Sequence, residues 1–87
     1  MYNPGGTGRA IKKQPKSPKY RALIRELTSA REAAGLTQRE LAQRLGRPHS
    51  FVGKLESGAR QLNVLEFCEY AEALGVDPVE LLRRVIR

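Results

Sequence analysis

Eighty-seven residues allow one domain with a modest core, and 16 Lys and Arg against 9 Asp and Glu leave a net charge of +7. One cysteine excludes an internal disulfide, and with one histidine it excludes a Cys/His metal site or a histidine-based triad, so no catalytic residue, metal or cofactor is expected. No stretch reaches the length of a membrane span and no apolar leader opens the chain, which places the protein in the cytoplasm without a membrane partner.

The predicted organisation starts with a flexible basic arm over residues 1–17, where three Gly, three Pro and few apolar side chains lie in the first 19 positions. Arg9, Lys12, Lys13, Lys16 and Lys19 supply its charge. Two readings stay open for it: an arm that follows a nucleic-acid backbone, or a solubilising tail. The folded domain is expected over residues 18–87. Ser17 followed by Pro18 reads as a cap and a first helical position, and Leu23, Leu27, Ala30 and Ala34 repeat at helical spacing up to Gly35.

Thr37 with Glu40 forms a capping box that opens a second helix, whose apolar side is Leu41, Ala42 and Leu45 and whose stop is Gly46. Pro48 suits the first turn of a third helix. Projected at about 100° per residue, that helix places Phe51, Val52 and Leu55 on one arc and His49, Ser50, Gly53, Lys54 and Ser57 on the other. The second arc is short, polar and basic, a surface suited to a major groove. Phe51 sits at the edge of the apolar arc, facing either the core or a thymine methyl. Gly53 costs about 0.8–1 kcal/mol against Ala inside a helix. Close approach to DNA or crowding by a neighbouring helix are the two explanations for its presence.

Asn63 with Glu66 caps a fourth helix, with Phe67, Tyr70, Ala71 and Leu74 inward and Glu66, Glu69 and Glu72 expected on the wet side. Asp77, Pro78 and Glu80 open a fifth. That last helix carries two apolar stripes, Val79, Leu82, Ile86 and Leu81, Val85. If the first stripe closes the core, Leu81 and Val85 are left to form a homodimer interface. Cys68 reads as a small, partly buried hydrophobe.

The set Arg31, Leu36-Thr-Gln, Glu40-Leu-Ala, Leu45-Gly, Val52, Leu55-Glu-Ser-Gly and Ala71-x-x-Leu-Gly-Val resembles the phage-repressor and Cro-type, XRE-like helix-turn-helix family, with the motif at 37–58. The resemblance implies an all-α five-helix bundle of the phage-repressor DNA-binding type over residues 20–87, in a bacterium or phage. It implies base reading by His49, Ser50 and Lys54, with Gly53 on the same face. It also implies phosphate contacts at Gln38, Arg60 and Gln61, with Arg47 and Ser57 flanking the reading helix, and an ion pair between Arg31 and Glu56. Double-stranded DNA is then the expected partner, bound by a dimer that represses at a palindromic operator. RNA polymerase is a further candidate partner. An antitoxin that holds a toxin protein and regulates its own operon is the alternative.

Charge distribution agrees with a polyanionic partner. Residues 1–19 carry +5, residues 20–62 carry +4, and residues 63–87 carry −2, so a duplex would orient the molecule with the motif toward it.

Overall fold

The computed structural model describes residues 17–86, and within them the chain is helical, with no strand. The helices are α1 (Pro18–Ala33), α2 (Gln38–Leu45), α3 (Ser50–Ser57), α4 (Val64–Ala73) and α5 (Pro78–Ile86). Arg9, Lys12, Lys13 and Lys16 lie outside the described residues. Lys19, grouped with the arm from its sequence neighbourhood, is instead an exposed residue of α1. Ser17 explains this: its hydroxyl accepts the Tyr20 amide at 3.4 Å, and Pro18 takes the first helical position, so the helix is already running at Lys19.

Local chemistry sets the helix ends. Thr37 and Asn63 each form a complete capping box, with Glu40 and Glu66 reaching back to the cap amides at 2.8 and 3.1 Å. At the end of α2, Gly46 takes φ +67°, which lets the Arg47 amide reach the Ala42 carbonyl at 2.9 Å and the Gly46 amide reach Gln43. Only four residues, 46–49, then separate α2 from α3. The regular part of α3 starts later than Pro48: His49 is the cap, already in helical conformation, and Pro48 contributes its carbonyl to the Phe51 amide at 2.9 Å. At α5, Asp77 accepts the Val79 amide at 2.9 Å in place of the pairing with Glu80 that the sequence suggests.

One core unites all five helices: Ile24 and Leu27 of α1, Leu41 and Ala42 of α2, Phe51, Val52 and Leu55 of α3, Phe67, Tyr70 and Ala71 of α4, and Leu81 of α5. Helix α2 packs chiefly on α3, and α1 on α5. The inward stripe of α1 is Ile24, Leu27 and Arg31, while Ala34 is exposed. A charged residue occupies the inner face because it finds a carboxylate there.

Helix α5 overturns one expectation. Leu81 is fully buried and Val85 half-buried, whereas Val79, Leu82 and Ile86 are 55, 38 and 55% exposed. Two apolar stripes on one helix are indistinguishable by hydropathy alone. Packing on α1 and α4 chooses between them, and on that packed side Arg84 reaches Glu26 of α1 at 3.3 Å. Leu81 is therefore core and cannot form an interface between subunits.

Candidate nucleic-acid interface

The outward arc of α3 stands as projected. His49, Ser50, Lys54 and Ser57 are exposed and Gly53 is half-exposed, while Phe51, Val52 and Leu55 are buried. Phe51 thus belongs to the core, and its ring is covered by the guanidinium groups of Arg47 and Arg60, 4.6 and 5.1 Å from its centre.

Glu56 anchors this helix to three others. Its carboxylate accepts a two-pronged bond from Arg31 of α1, Nε at 2.8 Å and Nη2 at 3.0 Å, one from Gln38 of α2 at 2.9 Å, and one from the Tyr70 hydroxyl of α4. Arg31 also donates to the Leu36 carbonyl at 2.7 Å. The pair expected between Arg31 and Glu56 is therefore the centre of a four-helix junction. Burial pushes the Glu56 carboxyl up, but bonds from Arg31, Tyr70 and Gln38 with the charge of Arg31 outweigh it and hold the group below the usual carboxylate range. Burial and then the adjacent carboxylate push the Tyr70 phenol up, so it stays a proton donor. Tyr70 was placed in the core by periodicity. Its hydroxyl was the unread signal, since a buried phenol requires a partner.

Gln38 is exposed at the start of α2 with one amide hydrogen directed to Glu56 and a second one remaining to donate. Its position bears on Gly53. A Cβ at residue 53 would stand 3.1 Å from the Gln38 side-chain oxygen. A side chain at position 53 would therefore have to displace this one amide by a few tenths of an ångström. In the Gln38→Ala background, Gly53→Ala should add about 1 kcal/mol of stability through helix propensity. In the native background the gain should be smaller, because the Gln38 side chain, bonded to Glu56, must first shift by a few tenths of an ångström. Urea unfolding of the four proteins measures this; equal gains in both backgrounds would reject the contact.

Arg47 and Arg60 face inward as well as outward. Arg60 bonds Glu66 at 2.8 Å, and Arg47 lies 3.5 Å from both Glu66 and Glu69. Glu66 is 6% exposed, which corrects its placement on a solvated face: two guanidinium groups draw it in. The hydrogen bond from Arg60 leads the causes that lower its carboxyl below the ordinary range. The acidic surface of α4 is correspondingly reduced to Glu69 and Glu72. Ser57 donates to the Lys54 carbonyl and accepts the Ala59 amide, while Gln61 is exposed beyond the turn made at Gly58, φ +88°.

Arg39 was missed by sequence reasoning. It is exposed beside Gln38 in the first turn of α2, without an ion pair among the described residues. A cation at the positive end of a helix is unfavourable by itself, and that placement was the available signal. No group of His, Cys, Asp and Glu among the described residues could hold a metal, and no helix among them is long and apolar enough to cross a membrane.

Comparisons with known proteins converge on this architecture. The profile of a family described as "Helix-turn-helix domain" matches residues 22–83. A protein of Sinorhizobium fredii named "Uncharacterized HTH-type transcriptional regulator y4dJ" is 42% identical over 52 residues, 60% of this chain and 68% of that protein. The solved structure of an XRE-family like protein from Pseudomonas syringae pv. tomato superposes with a TM-score of 0.75 at 51% identity, over 77% of this chain and 82% of that one. A hypothetical transcription factor from Neisseria, 24% identical and covering 85% of this chain and 84% of its own, shares the fold with a TM-score of 0.68.

Proposed function

From its membership of the XRE-like helix-turn-helix family of DNA-binding transcription regulators, to which this chain belongs, we infer that it is a sequence-specific repressor that covers a palindromic operator as a homodimer. The observation that carries the reading is the outward arc of α3. Five small, polar or basic positions face solvent on a helix locked to three neighbours through one carboxylate. A helix held that rigidly presents His49, Ser50 and Lys54 to base edges in one register. Gln38 and Arg39 at the start of α2, and Arg47, Ser57, Arg60 and Gln61 around α3, then stand over the flanking phosphates. For Arg47 and Arg60 a phosphate has to share the guanidinium with Glu66.

Selection of a random duplex pool on the purified chain, followed by affinities across a salt series, tests this reading. An enriched palindrome with half-sites about 34 Å apart, bound at least ~10³-fold tighter than a scrambled duplex, is expected. Weak binding to every duplex alike would overturn it. Lys54→Ala should cost about 1–3 kcal/mol of binding and relax preference at a single base position.

The dimer contact moves to the other stripe of α5. Val79, Leu82 and Ile86 are exposed, and Val64 and Leu65 at the start of α4 are 75 and 72% exposed. Val64, Val79 and Leu82 border an apolar groove of about 320 Å³ that is also lined by Tyr20, Leu23, Leu62 and Phe67. A two-fold contact would bury these groups against their copies. The double variant Val79→Lys/Leu82→Lys should remain folded and sediment as a monomer with weaker operator binding. An unchanged mass would exclude this face.

A further inference from the structure

The polar arc of α3 does not stop at the end of that helix. Ser57, its last member, and Gly58 form one wall of a groove of about 180 Å³ whose other wall is α1, through Tyr20, Arg21, Ile24 and Arg25. Arg21 and Arg25 are exposed, one helical turn apart, and carry no ion pair among the described residues. The carboxylate in this groove, Glu56, is already bonded to Arg31, Gln38 and Tyr70. It has little left to offer them.

Their location is unfavourable for the helix that bears them. Like charges four residues apart repel, the start of α1 near Arg21 carries positive potential, and the first turn of α1 contains no acid to offset it. An anion outside the protein would relieve all three. The Tyr20 hydroxyl, which accepts the Leu62 amide at 3.1 Å, fixes the start of α1 to the loop that follows α3, so the two arginines hold a constant position relative to the reading helix.

A helix with its side chains is about 10–12 Å across, close to the ~12 Å width of the major groove. A helix seated there with His49, Ser50 and Lys54 at base edges has sugar-phosphate backbone close on either side, and Arg21 and Arg25 adjoin its end at Ser57. The geometry points to Arg21 and Arg25 as a second phosphate-binding ridge, gripping the backbone strand at the C-terminal end of α3. This inference rests on α3 being the DNA-reading helix.

The test uses the full chain and its selected duplex. Arg21→Gln/Arg25→Gln should reduce the slope of log affinity against log salt by about 1.8, some 0.9 per phosphate contact, and weaken operator and scrambled duplex by the same factor. Arg21→Lys/Arg25→Lys should restore the native slope, since a phosphate at the surface accepts either cation. A native protein that selects a site while the glutamine variant keeps its full slope would overturn the ridge alone. A native protein that selects no site would overturn the DNA-reading assignment beneath it.

Discussion

Glu56→Ala is expected to destabilise the domain by about 3–5 kcal/mol, the usual consequence of stripping one partner from a buried ion pair. The side chains of Arg31 and Glu56 are 10 and 8% exposed, so the orphaned guanidinium would face little water. The Tyr70 hydroxyl and the Gln38 amide would lose their acceptor at the same time. A domain of this size holds on the order of 5–10 kcal/mol in total. The variant should therefore unfold at a much lower urea concentration, and an unchanged midpoint would show that the junction contributes nothing. Replacing both members by Leu should recover part of the loss, because an apolar pair leaves no unpaired charge, while the buried Tyr70 hydroxyl still lacks its acceptor.

The same carboxylate gives stability a direction in pH. Both Glu56 and Glu66 are held below the ordinary carboxylate range in the folded protein. The unfolded chain therefore binds protons first as pH falls, and stability rises with pH in that window. Their contribution is complete above the unfolded value near 4.3 and lost as pH falls through the folded values. Unfolding midpoints should stay level from neutrality to about pH 5 and drop below it. In Glu56→Gln the acid limb should be shallower.

Leu81→Ala is the second large effect, an expected loss of about 2–5 kcal/mol for a fully buried leucine. In a domain of this length that lowers the melting temperature by roughly ten degrees or more. Leu82→Ala, one position along and 38% exposed, should change the melting temperature of the monomer, measured at low concentration, little. Equal effects from the two substitutions would mean that α5 is rotated from the orientation described.

The number of helices, most of their ends and the outward face of α3 were legible in the amino-acid sequence, because each depends on residues close together in the chain. Thr37 with Glu40, Asn63 with Glu66 and the left-handed Gly46 are local devices, and the two arcs of α3 follow from periodicity alone. The pairing of Arg31 with Glu56 was legible too, through resemblance to a family in which both positions are held together. Tertiary structure decided everything that required knowing a neighbour. It chose Leu81 over Leu82 for the core, because hydropathy does not say which apolar stripe of α5 meets α1 and α4. It drew Glu66 inward, because Arg47 and Arg60 converge on it from segments on either side of α3. It set the Gln38 side chain against Gly53, fifteen positions away in the chain. Hydropathy counts what a side chain loses by leaving water, and charge pairing and shape decide what it meets when it arrives.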